Sequence, residues 1–308
     1  MDPVAAVEAR SLTTSYGRSR GIVEVDLRVE PGQVMGLVGA NGAGKTTLMR
    51  TLLDFVRPTS GSVSAFGHDS RHGSVEVRRR TTYLPGELVL PARLKGWEAL
   101  DRFWFARPPI DRARVAALAD RLDLDLGRRV GDLSKGNKQK VGLVLAFAPA
   151  ADLLVLDEPT SGLDPLLQRE FAALVGEARD NGATVLLSSH VMAEVEQMAT
   201  HVALMREGRI AIVDDIATIT TKARRRGRAA PRAREDVDAV RRLLEDTSGV
   251  SDVAVDDGAV TFACAGDVDD LVKSLARVTL RSLDIAHADL EDAFFAAYDG
   301  AAGDGIAS

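Results

Sequence analysis

The chain has 308 residues, 45% of them hydrophobic, so it is long enough to bury a substantial core and to divide into two domains. Its formal net charge of −6 excludes a protein that coats nucleic acid through its overall charge. A single cysteine, Cys264, excludes an internal disulfide, and the longest apolar stretch, residues 141–151, is far shorter than the ~20 residues that span a bilayer.

The first part of the chain predicts short strands that lead to a buried one. Residues 7–10 and 22–29 have the composition and alternation of strands. Tyr16 lies between them in a polar loop, where an ordinary half-buried aromatic is the simplest interpretation. A Pro-Gly turn then precedes the apolar run at residues 34–38, which predicts a buried strand.

A glycine-rich loop follows this strand and opens, at Thr47, onto a predicted helix. Its sequence is Gly39-Ala40-Asn41-Gly42-Ala43-Gly44-Lys45-Thr46. This is the G-x-x-x-x-G-K-T pattern in strand–loop–helix context, in which backbone N–H groups and the helix N-terminus form an anion nest. Lys45 can reach the β- and γ-phosphates of a nucleotide, and the Thr46 hydroxyl can ligate Mg²⁺. We therefore predict that this loop binds a nucleoside triphosphate.

Residues of about 87–150 predict a helical lobe inserted into the α/β core. A helix at residues 94–107 carries four large apolar side chains on one face. These are Trp97, Leu100, Phe103 and Trp104. An amphipathic helix at residues 111–122 and a third helix at residues 138–148 complete the lobe.

The α/β pattern resumes after the lobe. Residues 153–156 are a continuous apolar run, typical of a strand buried on both faces, and they end in Asp157 and Glu158. Asp157 fits a Mg²⁺ partner, and Glu158 fits a base that polarises an attacking water. Asp164 predicts a helix N-cap, and the next buried strand, residues 184–187, leads to Ser188-Ser189-His190.

Together these elements predict an α/β fold of the P-loop NTPase type: a mainly parallel sheet covered by helices, with an antiparallel β edge. We assign this domain to residues 1–222. Residues 223–234 are rich in arginine, which indicates a solvated linker or a patch facing acidic lipid headgroups or a partner. Residues 235–300 predict a small α+β domain with a hairpin around Asp256-Asp257-Gly258 and a terminal helix at 290–298.

Several motifs in residues 5–220 resemble the nucleotide-binding subunit of ATP-binding-cassette (ABC) transporters. Residues 133–140, Leu-Ser-Lys-Gly-Asn-Lys-Gln-Lys, look like the signature motif of that family, which usually reads Leu-Ser-Gly-Gly-Gln. Residues 153–159 match its Walker B motif, residues 161–164 its D-loop, and His190 its switch histidine. Lys135 and Asn137 depart from the signature motif. Departures of this kind resemble those of the family members that export drugs and antibiotics through a separate permease.

The resemblance implies a role for each of these residues. The cofactors are ATP and Mg²⁺, with Glu158, His190 and Lys45 as catalytic residues and with Thr46 and Asp157 at the metal. Tyr16 falls where the family stacks an aromatic on adenine. The residues that the resemblance implies for nucleotide binding are Tyr16, Gly39, Asn41, Gly42, Ala43, Gly44, Lys45, Thr46, Thr47, Ser134, Gly136, Asn137 and Asp164.

The resemblance also implies partners. Ser134 and Gly136 would close on ATP held by a second copy of the chain, so that two ATP molecules join a head-to-tail dimer. An integral-membrane permease, expected in two copies, would receive the opening motion at the cytoplasmic face of the membrane, with its cytoplasmic helix in a groove of the helical lobe. No nucleic-acid partner is implied. The tail motif at residues 289–294 resembles the tail of ATP-binding subunits that are paired with small exporter-type permeases.

Gly86 is one departure from the family pattern. The family has glutamine after Tyr-Leu-Pro, where this chain has Gly86 and then Glu87.

A soluble ABC ATPase with a non-transport role is the alternative to an exporter subunit. Such proteins usually have two cassettes or a long coiled-coil insertion, and this chain has neither.

Overall fold

The computed structural model describes residues 4–17, 19–105, 110–222, 225–265 and 268–286, without the side chains of residues 19–20 and 220–222. The chain divides into two compact units, Met1–Val213 and Asp214–Ser308. The predicted terminal helix at 290–298 and the tail motif at 289–294 lie outside the described residues.

The strands and helices alternate along most of the chain. The strands are β1 (Val7–Tyr16), β2 (Ser19–Val29), β3 (Val34–Val38), β4 (Ser60–Ala65), β5 (His68–Asp69), β6 (Thr81–Leu84), β7 (Leu153–Leu156), β8 (Thr184–Ser189), β9 (His201–Arg206), β10 (Arg209–Asp215), β11 (Arg225–Pro231), β12 (Val250–Asp256), β13 (Ala259–Cys264) and β14 (Leu280–Ile285). The helices are α1 (Lys45–Leu52), α2 (Ser74–Arg80), α3 (Gly96–Trp104), α4 (Arg112–Arg121), α5 (Lys135–Phe147), α6 (Pro165–Asp180), α7 (Met192–Met198), α8 (Ile216–Lys222), α9 (Val237–Glu245) and α10 (Asp269–Leu275).

A six-stranded sheet of order β10-β9-β3-β8-β7-β6 forms the centre of the first unit. The pairs β3–β8, β3–β9, β7–β8 and β6–β7 are parallel, and every residue of β3, β7 and β8 is buried. Strands that are buried on both faces read as continuous apolar runs, as these do. The predicted α/β fold with a mainly parallel sheet is confirmed.

The predicted antiparallel β edge is a separate sheet of order β2-β1-β4-β5. One hydrophobic core joins it to the central sheet around α1. Leu12 and Ile22 from the antiparallel sheet belong to the same buried cluster as Leu37 of β3 and Met49 of α1. This packing places the N-terminus of α1 and the loop before it between the two sheets.

The segment predicted as a helical lobe contains α3, α4 and α5. Leu100 and Trp104 are buried there, and the Trp104 indole donates a hydrogen bond to the Leu145 carbonyl oxygen over 3.3 Å. Phe103 and the neighbouring Phe105 are exposed. The apolar face of α3 is thus divided between core and surface. None of the helices in the described ranges combines the length and the apolar character that crossing a bilayer requires.

The second unit begins with α8 and then has the order β11-α9-β12-β13-α10-β14, a split βαβ arrangement. Its strands form an antiparallel sheet of order β12-β13-β11-β14. Side chains from both helices and from this sheet, among them Leu244, Leu271 and Phe262, form the core. The predicted hairpin is confirmed as β12 and β13.

The structure corrects the prediction of a basic linker at residues 223–234, because β11 lies between β13 and β14 in the middle of the sheet. Gly227 and Ala229 are buried and alternate with the more exposed Arg226 and Arg228. A Cβ atom at Gly227 would lie 2.2 Å from Cζ of Phe262, so the Phe262 ring occupies the space that another side chain would fill. This alternation is typical of a strand, although it ends at Ala229, since Ala230 and Pro231 are buried too.

Candidate functional site

The glycine-rich loop at residues 39–44 connects β3 to α1. Gly44 has a φ of 109°, which favours glycine, and a Cβ atom there would lie 2.7 Å from Cγ2 of Ile22. Within the described residues no side chain caps the N-terminus of α1, and its first turn carries no acidic residue. The first N–H groups of the helix therefore remain available to an anion.

A cavity of about 270 Å³ lies against this loop. Most of the residues predicted to hold the phosphates line it, together with the predicted base from the end of β7. The lining residues are Gly21, Asn41, Gly42, Ala43, Gly44, Lys45, Thr46, Thr47 and Glu158. Residues from opposite halves of the first unit thus meet in one cavity.

Lys45, the first residue of α1, directly follows this loop and is a buried cation, with 5% of its surface exposed. Its Nζ atom donates hydrogen bonds to the carbonyl oxygens of Gly39 (2.5 Å) and Ala40 (3.3 Å). It also lies 3.3 Å from Oε1 of Glu158. A buried charge needs such partners, and these contacts hold the ammonium group at the cavity.

Asp157 follows the last residue of β7 and is almost fully buried. Its Oδ1 atom accepts hydrogen bonds from the hydroxyls of Thr46 (3.0 Å) and Ser188 (2.8 Å). Burial, and next the Asp157 carboxylate, raises the pKa of the Tyr83 phenol on the neighbouring strand. Asp157 and Thr46 together present hard oxygen donors, the kind that Mg²⁺ prefers.

Glu158 and His190 form the second pair of the site. Nδ1 of His190 lies 2.7 Å from Oε2 of Glu158. Glu158 has a φ of 46°, which is uncommon for a residue with a Cβ atom, and its N–H donates to the Ser188 hydroxyl over 2.8 Å. Ser188 therefore binds both acidic residues at the end of β7, and the sequence analysis had not assigned it a role. The feature of the sequence that could have identified Ser188 is a hydroxyl side chain at the C-terminal end of a buried parallel strand.

Four residues predicted to bind nucleotide lie at two other helix N-termini and are not part of the cavity lining described above. Ser134 caps α5, because its hydroxyl accepts a hydrogen bond from Asn137 N–H over 3.2 Å, and Gly136 lies in the first turn of that helix. Asp164 caps α6 by accepting from the N–H groups of Leu166 and Leu167 at 3.0 Å.

Tyr16 and the segment around Gly86 complete the predicted set. Tyr16 is the last residue of β1; its side chain is exposed and is not part of the described cavity lining. A Cβ atom at Gly86 would lie 3.2 Å from the carbonyl oxygen of Asp157, so a side chain at this position would start beside the predicted metal ligand. Glu87 is exposed.

Comparison with known proteins identifies a family to which this chain is similar. A family model described as ABC transporter matches residues 22–161. The bacitracin transport ATP-binding protein BcrA of Enterococcus faecalis is 28% identical over 294 residues, which cover 94% of each chain. The lantibiotic transport ATP-binding protein SrtF of Streptococcus pyogenes is 31% identical over 209 residues, 66% of this chain and 88% of the relative.

A solved structure described as the ATP-binding subunit of an ABC transporter has the same fold. It is 29% identical to this chain, with a TM-score of 0.64, and the match covers 70% of this chain and 91% of the solved one. The similarity therefore extends across nearly all of that subunit.

Proposed function

This chain belongs to the ABC transporter family of ATP-binding proteins, and on that premise we propose that it hydrolyses ATP to power export of a drug, antibiotic or lipid-like substrate through a separate permease. The observation that carries the proposal is the meeting of Lys45 with Glu158, 3.3 Å apart at one cavity. A phosphate-binding cation and a candidate base lie together there, as hydrolysis of a terminal phosphate requires.

We assign the steps of hydrolysis to residues of this site. The loop N–H groups and Lys45 bind the β- and γ-phosphates, and Tyr16 stacks on the base. Glu158 accepts a hydrogen bond from the attacking water and polarises it. His190, in contact with Glu158 at 2.7 Å, orients that carboxylate and senses the γ-phosphate.

Thr46 and Asp157 fit a Mg²⁺ ion, since their oxygen atoms already lie 3.0 Å apart beside the phosphate loop. Mg²⁺ is usually held by one or two protein side chains together with substrate phosphates, whose charge it neutralises when bound. Ser188 fixes the orientation of the Asp157 carboxylate through its hydrogen bond of 2.8 Å to Oδ1.

We further propose that the working unit contains two copies of this chain and two copies of the permease, at the cytoplasmic face of the membrane. Ser134, Gly136, Asn137 and Asp164 would complete the ATP site of the second copy. The N-terminus of α5 supports this, because it can bind an anion but lies outside the cavity that holds Lys45.

Two relatives support the class of cargo, since bacitracin and lantibiotics are named in their descriptions. The test is to express the chain with a permease encoded beside it in a sensitive host and to measure survival in bacitracin and in a lantibiotic. We expect resistance that needs both genes and disappears with Glu158→Gln. A chain that hydrolyses ATP but never sediments with permease-containing membranes would favour the soluble, non-transport role instead.

A further inference from the structure

The carboxylate of Glu194, on α7, receives hydrogen bonds from three separate parts of the first unit. Its Oε2 atom accepts from the hydroxyls of Thr160 (2.6 Å) and Ser189 (2.8 Å). Its Oε1 atom accepts from Nε2 of Gln168 on α6 over 3.2 Å. The two hydroxyls share one oxygen atom, so Glu194 directly bridges the residues that carry them.

Both hydroxyls are shielded from water, since Thr160 is 4% exposed and Ser189 is 1% exposed. Glu194 itself is half-buried, and in the described part of the chain its carboxylate is hydrogen-bonded by neutral donors and makes no ion pair with Lys, Arg or His. Removing the carboxylate would leave two buried donors without their acceptor, which is costly.

The two bridged residues flank the pair that we assign to hydrolysis. Ser189 immediately precedes His190, and its hydroxyl also accepts from the N–H of Val191 over 3.0 Å, so it holds the backbone on both sides of the histidine. Thr160 lies two residues after Glu158, in the turn where Ser161 N–H donates to the Glu158 carbonyl oxygen over 3.2 Å.

We propose that Glu194 is a positioning residue for ATP hydrolysis, which fixes the strand end that carries His190 to the turn that follows Glu158. The proposal rests on the proposed function of those two residues. Glu194 is not part of the described cavity lining, so it acts through the contact of 2.7 Å between Glu158 and His190. Its loss should therefore lower kcat and leave nucleotide affinity unchanged.

The test compares purified full-length Glu194→Ala, Glu194→Gln and the parent chain with Mg²⁺ and ATP. Misplaced catalytic groups typically cost up to about 100-fold, so we expect kcat of Glu194→Ala to fall about 10- to 100-fold. The Kd for a non-hydrolysable ATP analogue should stay within about twofold, because the Glu194 hydrogen bonds do not reach the phosphate loop. The amide of Glu194→Gln can still accept from both hydroxyls, so its kcat should return to within about threefold of the parent.

Gln197→Ala is the matched control, since it truncates a long polar side chain on the exposed side of the same helix. If Glu194→Ala does not fold, the hydroxyls are removed instead with Thr160→Val, Ser189→Ala and the double variant. A bridge needs both ends, so the double variant should lose no more kcat than the worse single variant.

Two results would overturn the proposal: a folded Glu194→Ala with the parent kcat, or losses that multiply in the double variant. Glu158→Gln, measured in the same assay, separates this outcome from failure of the proposed function. If Glu158→Gln keeps the parent activity, the assignment of the site is wrong; if it alone loses activity, only the role of Glu194 is wrong.

Discussion

The hydroxyl of Thr46 donates a hydrogen bond to Oδ1 of Asp157 over 3.0 Å, although the two residues are 111 positions apart in the chain. The contact joins the first turn of α1 to the end of β7. It arises because β3 and β7 are both parallel neighbours of β8, so the segments that follow them emerge at the same edge of the sheet. This pair is the basis of the magnesium site that we propose.

Thr46→Val tests that site. The substitution keeps the shape of the side chain and removes its hydroxyl, so we expect the Mg²⁺ concentration for half-maximal ATPase activity to rise about tenfold. Thr51→Val, in the same helix, is the control, because the Thr51 hydroxyl donates to the Thr47 carbonyl oxygen and should affect stability alone. An unchanged Mg²⁺ requirement in Thr46→Val would remove Thr46 from the metal.

Glu158→Gln should bind ATP normally and lose most of its turnover. Loss of a general base typically costs about 10²- to 10⁴-fold in rate, while the loop, Lys45 and Asp157 remain in place. Phosphate release and the Kd for ATP are the two measurements. Steady-state hydrolysis near that of the parent would show that another group polarises the water.

Dimerisation should require ATP and should fail in Ser134→Arg, because a large side chain would fill the anion site at the N-terminus of α5. Light scattering in a Glu158→Gln background measures the mass with and without ATP. Arg128→Ala, which also changes an exposed residue before α5, controls for loss of fold. A Ser134→Arg chain that still doubles its mass on addition of ATP would contradict the head-to-tail dimer.

Glu87→Ala should barely change the Mg²⁺ dependence of the isolated chain. Glu87 is exposed, and a second carboxylate close to ATP phosphates would be repelled by them. We expect the variant to weaken stimulation of the ATPase by the assembled permease instead. A large rise in the Mg²⁺ requirement would identify Glu87 as the replacement for the missing glutamine.

Arg121→Ala should loosen the helical lobe from α6. Arg121, on α4, makes ion pairs with Glu170 and, at 2.8 Å, with Glu177. Such partly exposed pairs are worth about 0.5–1 kcal/mol, which should appear in denaturant unfolding followed by tryptophan fluorescence, since both tryptophans lie in α3. Arg179→Ala, which breaks a pair with the adjacent Asp180, should have a smaller effect.

The effect of Arg121→Ala should also depend on pH. The hydrogen bond from Arg121 holds the pKa of Glu177 below its usual value. A carboxyl with a lowered pKa in the folded state adds stability above its usual pKa, and this stability is lost as the pH falls through the lowered value. The difference between parent and variant should therefore shrink in acid. A difference that is equal at neutral and acidic pH would mean that the pair contributes little.

Local patterns in the sequence predicted the parts of the fold that local forces determine. The buried strands β3, β7 and β8 are continuous apolar runs, and the loop before Lys45 carries glycine where the backbone adopts a φ of 109°. Turn chemistry predicted the hairpin of β12 and β13. In contrast, β11 was predicted as a linker, because its place in the sheet depends on Phe262, which packs across Gly227 from a distant part of the chain.

Motifs in the sequence therefore determined which parts of the chain we assign to the site: the phosphate loop, Asp157, Glu158 and His190. Only the tertiary structure decided which atoms meet. The register that pairs Val38 with Ser189 and Leu156 with Leu187 brings the ends of three strands together, and with them Thr46, Ser188 and the two acids. Glu194 shows the same limit, since a carboxylate on an amphipathic helix acquires its role only when Thr160 and Ser189 fold against it. Hydrogen bonds act over about 3 Å, and chain spacing alone does not fix such distances between residues far apart in sequence.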